Sequence, residues 1–176
     1  MEVLELAKRG TTKFESNKQE QQVAADFDGK VVIASGALWG SKGDVVTDLF
    51  LIECKTTESS TYRLDYTKTW KKIFKEATTR GLIPLMVISV SGDSYVVYQH
   101  SIFDTLEDQR LDSTNLKLRG YQVAMGNSTG IPFPYKVPPY RIFFYSKGDS
   151  LTVCPYEVFL EYVKENHDVL KEIFGW

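Results

Sequence analysis

Apolar and polar positions first fall into a helical rhythm over residues 16–26, where Val23, Ala24 and Phe27 make a short apolar stripe. Ser16 reads as the N-cap, with Gln19 at the third helical position as in a capping box, and Asp28-Gly29 marks the reversal that stops the helix. Residues 31–34, Val-Val-Ile-Ala, predict a short buried strand, and a glycine-rich loop over 35–43 leads to Asp44. From 45 to 55 the chain is rich in Val, Thr, Phe, Leu and Ile, which predicts two strands, or one bent strand, with Asp48 near a turn. A second helix over 66–79 follows from Trp70, Ile73, Phe74 and Ala77 at helical spacing, with Lys68, Lys71, Lys72 and Lys75 on the other side. Gly81 suits its C-cap and Pro84 a stop. Residues 85–90 then predict an apolar strand that turns at Ser91-Gly92-Asp93 into a second strand over 95–98.

The pattern weakens over 101–139, where four of the six prolines crowd into 132–139, and a long loop or elaboration is expected there. A hairpin is predicted from 141–145 with 151–154, and Pro155 suits the first turn of a last helix through Phe159, Tyr162, Val163, Leu170 and Ile173. Strands broken by single helices predict an α/β class: a mixed sheet with helices on its faces. No internal repeat divides the chain, so one domain over 1–176 is expected.

Composition narrows the class. With 43% hydrophobic and 25% charged residues, neither a disordered chain nor a fibrous repeat fits. Cys54 and Cys154 are too few for a disulfide scaffold and lack metal-site spacing, which points to a reducing compartment. No apolar run approaches the ~18–20 residues of a bilayer span. The N-terminus lacks a signal-peptide apolar region, and a soluble, cytoplasmic protein is expected. A net charge of −2 argues against an indiscriminate polyanion binder. It leaves room for a nuclease that holds a cation with carboxylates, since such a chain counts as acidic until the ion is bound.

The chemistry concentrates in Gly43-Asp44 and Glu53-Cys54-Lys55. On an extended strand Glu53 and Lys55 project to one face while Cys54 points to the other. A carboxylate and an ammonium straight after the apolar run of residues 49–52 must be paired or bound to something. If residues 45–47 and 49–53 pair antiparallel, Asp44 returns close to Glu53. Two carboxylates and the Cys54 backbone carbonyl then offer hard oxygen ligands to Mg²⁺ or Mn²⁺. Such an ion activates water and stabilises charge on a phosphodiester, and Lys55 can orient or deprotonate that water or neutralise the transition state.

Asp44 with Glu53-Cys54-Lys55 resembles the PD-(D/E)xK nuclease motif, with Gly43 in place of the usual proline. Glu20 on a preceding helix, Ser35-Gly36-Ala37 before Asp44, Lys42-Gly43-Asp44 and Ile52-Glu53-Cys54-Lys55-Thr56 make it similar to the Holliday-junction-resolvase branch of that superfamily, of phage or archaeal type. The resemblance covers roughly residues 14–90. It implies a restriction-endonuclease-like core, αβββαβ, over about 14–100, with 101–176 as a C-terminal elaboration. It also implies an Mg²⁺-dependent endodeoxyribonuclease in which Asp44 and Glu53 hold the metal with help from Glu20, Lys55 is the catalytic lysine and Ser35 approaches the scissile phosphate. Branched DNA as substrate, a homodimer with two active sites, and a host cytoplasm if the chain is phage-encoded are implied with it.

Blander readings stand beside these. Asp44, Glu53 and Lys55 can be a surface ion pair and a turn aspartate. Glu20 lies in the polar run 17–22, with Glu15 as a rival acid one turn earlier. Lys42 is a phosphate contact or a solvated loop lysine. Lys68 and Lys72, with Lys71 and Lys75, line a DNA groove or form a solvated helix face. Trp39 packs as a lid or stacks on a base, and the isolated His100 and His167 read as structural or surface residues. Outside nuclease chemistry, the chain can be an idle DNA-binding module or an interaction protein in which the motif is accidental.

Overall fold

The computed structural model describes residues 12–33, 43–60, 62–99, 121–125, 131–133, 140–144 and 149–174. In chain order the elements are α1 (Thr12–Asp26), β1 (Lys30–Val31), β2 (Val45–Val46), β3 (Phe50–Thr57), β4 (Tyr62–Leu64), a π-helical turn (Tyr66–Trp70) running into α2 (Lys71–Thr79), β5 (Ile83–Val90), β6 (Asp93–Gln99), β7 (Tyr121–Met125), β8 (Ile131–Phe133), β9 (Tyr140–Phe144), β10 (Asp149–Pro155) and α3 (Tyr156–Phe174). Eight strands form one sheet in the order β1-β2-β3-β5-β6-β10-β9-β7, while β4 and β8 pair separately. β2 and β3 are antiparallel, with Val45 opposite Ile52. β3 and β5 run parallel from Phe50↔Ile83 to Thr57↔Val90, a pairing that needs a crossover, and α2 supplies it. Leaving aside the short β4, helix, three-stranded meander, helix and strand follow one another as in a restriction-endonuclease-like core. The class is the expected α/β, a mixed sheet flanked by helices.

Each face of the sheet has its own apolar layer. On one, Val23 and Phe27 of α1 and Phe159, Tyr162 and Leu170 of α3 pack against Phe50, Ile52, Cys54, Leu85, Val87 and Tyr98. Phe27 meets Phe50 and Tyr156 edge to face, at 6.0 and 5.9 Å between centroids. On the other, Trp70, Ile73 and Ala77 cover Leu51, Met86, Ile88 and Val97. Each fully buried large side chain contributes about 1.5–3 kcal/mol, so the two layers fix where the strands between them must lie. β5, sandwiched by both, reads as an unbroken apolar run for that reason.

Several expectations are met locally. Asp28 stops α1, taking the left-handed conformation (φ 52°) itself rather than leaving it to Gly29. Arg80 is the C-cap of α2 and Gly81, next in the chain, takes the positive φ that ends the helix, while Ser91 and Gly92, both at positive φ, make the tight turn between β5 and β6. The hairpin of β9 with β10 is present.

Others are corrected. Ser16 is not an N-cap: α1 begins at Thr12, with Phe14 half-buried, and the Ser16 hydroxyl donates to Glu20 Oε1 at 3.2 Å from inside the helix. The strand expected over 31–34 shrinks to Lys30–Val31, and Ile33 is 84% exposed. Its partner β2 has only two strand residues, so pairing runs out, although the Val32 N–H still donates to the Asp44 carbonyl at 2.8 Å. Pro84 does not precede a strand but sits buried inside β5. Pairing of β5 with β6 begins only at Met86, so a missing donor at Pro84 breaks no bond on that side. The weak region 101–139 holds two strands, β7 parallel to β9 and β8 antiparallel to β4. Pro155 closes β10 opposite Tyr95, and α3 starts one residue later. No described helix is long and apolar enough to cross a membrane.

Candidate active site

The site grows from the strand pattern of β3. Leu51 belongs to the α2-side layer and Cys54 to the opposite one, so Glu53 and Lys55 are directed to the α2 side beyond Leu51. One step past the Val45–Ile52 pair, the register sets Asp44 beside Glu53. The Asp44 N–H donates to the Ile52 carbonyl at 2.9 Å, and its Oδ2 accepts from the Cys54 N–H at 2.7 Å. The carboxylate thus takes a backbone donor of β3 where β2 has not yet begun, which locks its position. Just before it, Gly43 is buried so tightly that a Cβ there would lie 2.6 Å from Leu51 Cδ1. Lys55 Nζ donates to Glu53 Oε1 at 2.5 Å. Side-chain exposure there is 35% for Lys55 and 13% for Glu53, so the carboxylate is largely enclosed while the ammonium end stays partly open to solvent.

Glu20 joins from α1. Burial raises its carboxyl above the usual carboxylate range, and the Asp44 charge raises it further. Burial likewise raises Asp44, against the hydrogen bond from Cys54 and the positive charges of Lys55 and Lys72. Glu53 is raised by burial and by Asp44 against the pull of Lys55 and Lys72. Burial works to lower Lys55, but the bond to Glu53 and the nearby carboxylates outweigh it, so the ammonium is held above its ordinary value. Three acids sense one another across a partly buried space in which, among the described residues, only Lys55 makes a direct ion pair with any of them. Such a cluster is short of positive charge, and its hard oxygen donors suit Mg²⁺ or Mn²⁺. Among the described residues no three His, Cys, Asp or Glu side chains stand as a preassembled metal cage, Glu53 being drawn to Lys55.

Beside the cluster, a hollow of about 200 Å³ between β3 and α2 is lined by Glu53, Lys55, Lys68, Thr69 and Lys72. Lys68 and Lys72 are exposed on its rim. A larger open groove lies on the other side, along α1, α3 and the turn between β5 and β6; Glu15 lines that groove, away from the hollow. The Cys54 side chain is buried on the opposite face from Glu53 and its thiol is pushed well up by burial, so only its backbone serves the site. His167 lies 3.5 Å from Asp48, which Lys171 also contacts at 2.5 Å; these pin α3 to the β2–β3 turn. Ser35, Lys42, Trp39 and His100 lie outside the described residues. Two contacts escaped the sequence reading, and the capping-box role expected of Gln19 is corrected, since it lies inside α1 and bonds the sheet instead. Tyr62 stands close enough to Lys55 and Glu53 to feel their charges. Gln19 reaches from α1 to the Lys55 carbonyl. Its signal was available, since Gln19, Val23 and Phe27 recur every four residues along one helix face.

No protein-family model matches the chain, and no curated protein matches it either. Among solved structures, the Holliday junction resolvase Hjc of the archaeal hyperthermophile Archaeoglobus fulgidus is similar at a TM-score of 0.38 and 13% identity, over 45% of this chain and 72% of that one.

Proposed function

We propose that this chain is a metal-dependent endonuclease that hydrolyses DNA phosphodiesters, with branched DNA of the four-way-junction kind as its substrate. The observation that carries the reading is the Asp44 carboxylate, held by the Cys54 N–H beside the Glu53–Lys55 pair, with Glu20 of α1 near enough for its carboxyl to feel the Asp44 charge. In it Asp44 and Glu53, with Glu20 and the Cys54 carbonyl, hold Mg²⁺ or Mn²⁺. When bound, the ion lowers the pKa of water and offsets charge on the phosphodiester.

The chain's own groups do the rest. The Cys54 N–H keeps the Asp44 carboxylate in one orientation, which removes the cost of arranging it at the moment of reaction. Lys55, held protonated by Glu53, suits stabilisation of charge building on the phosphate better than it suits a general base. Lys68 and Lys72, on the rim of the hollow next to Glu53, meet the phosphates flanking the cut. Ser35, by the family resemblance, and Lys42 are proposed as further contacts to the same DNA backbone. Two cuts related by a two-fold axis call for a homodimer.

The test is a panel of end-labelled four-way junction, flap, linear duplex and single-stranded DNA, with and without Mg²⁺ or Mn²⁺. Symmetric, metal-dependent nicks in the junction alone support a resolvase. Cleavage of flaps or duplex ends assigns a different branched-DNA or end-processing nuclease. DNA binding without cleavage under any metal makes the chain an idle module and removes the enzymatic reading.

A further inference from the structure

The first half of α1 presents a mechanical problem. Glu20 has to stand with Asp44, yet the fully buried apolar residues of α1, Val23, Ala24 and Phe27, all come after it, and Phe14 before it is half-buried. Around Glu20, residues 17–22 are Asn, Lys, Gln, Glu, Gln and Gln, and Lys18, Gln21 and Gln22 are exposed. Hydrophobic burial therefore gives this stretch little hold on the sheet.

Gln19 is the exception. Its Nε2 donates to Ser89 Oγ at 2.8 Å, to the Lys55 carbonyl at 3.2 Å and to the Val87 carbonyl at 3.4 Å. Ser89 Oγ in turn lies 2.7 Å from Ser94 Oγ, across the β5–β6 hairpin. Two of the three acceptors are main-chain carbonyls, which fixes the orientation of the amide: turned over, it would set its oxygen against both. Its Oε1 is buried with no hydrogen-bond partner among the described residues. Leaving a buried acceptor unpaired is unfavourable, so the geometry of the NH₂ end is being kept at the expense of the other.

We infer that Gln19 is a positioning residue: its side-chain amide clamps α1 to the Lys55 carbonyl of β3 and to Ser89 of β5, and so sets the distance from Glu20 to Asp44 and Glu53. This rests on the metal-site reading above and goes beyond it by naming what aligns the third acidic group. The clamp joins the residue immediately before Glu20 to the backbone of Lys55, the catalytic lysine of that reading. A shift of the helix on the sheet would then move one acid relative to the other two.

The experiment compares the full-length wild type with Q19L, E20Q and Q19L/E20Q by two readouts, Mg²⁺ and Mn²⁺ affinity from calorimetry and the rise in melting temperature on adding Mn²⁺. In wild-type context Q19L should weaken metal affinity by roughly tenfold, the scale seen when a group orienting a ligand is removed. In the E20Q background Q19L should add no further loss, because the acid it aligns is already gone. Equal losses in both backgrounds, or no loss in either, overturn the inference while leaving the metal site standing. Absence of any metal response in the wild type overturns the metal site, and this inference falls with it. Should Q19L fail to fold, S89A removes the 2.8 Å anchor, together with the Ser94 contact, while leaving both carbonyl acceptors of Gln19 in place, and is held to the same two comparisons.

Discussion

β3 and β5 lie side by side, parallel and in register, beneath the same helix, yet they treat equivalent positions in opposite ways. Opposite Glu53 stands Met86, and opposite Lys55 stands Ile88, both fully buried. The sheet plainly accommodates apolar side chains at this level on the α2 side. Nothing in the architecture calls for a carboxylate and an ammonium one strand over. Enclosed ion pairs are commonly neutral or worse for stability than well-packed apolar residues. The contrast teaches that packing alone does not call for the charges on β3, whereas the proposed site requires them.

The most forceful way to break that comparison is to neutralise the acids without changing their shape. D44N or E53Q should lower metal-dependent cleavage at least about a hundredfold, with circular dichroism and DNA binding retained. Cutting that survives either change would refute the assignment. K55A should lose cleavage rate more than metal affinity; a K55A protein that fails to fold would make Lys55 a structural partner of Glu53.

The converse is to make β3 resemble β5. The double variant E53M/K55I should be inactive, yet more stable to urea by about 1 kcal/mol, the low end of the range for replacing an enclosed pair because Lys55 is 35% exposed. A marked loss of stability would show that the pair supports the fold after all.

A smaller effect concerns the rim of the hollow. K68A/K72A should weaken DNA binding evenly across sequences and flatten the log–log salt dependence by about 0.9 for each duplex phosphate that the variant no longer neutralises. An unchanged slope would make these lysines a solvated helix face.

The mildest test is pH. Burial raises Glu20, Asp44 and Glu53, so between their ordinary and raised values the folded chain binds more protons than the unfolded one. Stability of the metal-free protein should therefore fall as pH climbs through that window, and the slope should be shallower in D44N or E53Q. Urea midpoints of the three proteins, measured without divalent metal from about pH 4 to 7, check this. Identical slopes would mean that the acids do not sense burial.

The same contrast explains what could be read in advance. Glu53 and Lys55 announced themselves because charges directly after Leu49–Ile52 are anomalous in a strand. α2 was legible because Trp70, Ile73 and Ala77 make an apolar stripe that Gly81 terminates, and the β5–β6 hairpin because its turn residues match its geometry. β1 was overestimated, since Ile33 carries every mark of a buried strand residue but, among the described residues, has no partner strand to lie on. Pro84 misled for the complementary reason: proline is barred only where a ladder bond is needed, and that depends on where β6 begins to pair. Gln19 was hidden by its company, a polar run in which only the four-residue spacing to Val23 and Phe27 marks it as inward-facing.

Gly43 carries a consequence for how such a chain can change over generations. A methyl group at that position would fall 2.6 Å from Leu51 Cδ1 and 2.7 Å from its Cγ, and Leu51 is wholly enclosed. Residues 43 and 51 therefore divide one fixed volume between them, and neither is free to drift alone. Any larger residue at 43 would need room made at residue 51 in the same step, so the close contact of the two couples the backbone before Asp44 to the packing of β3.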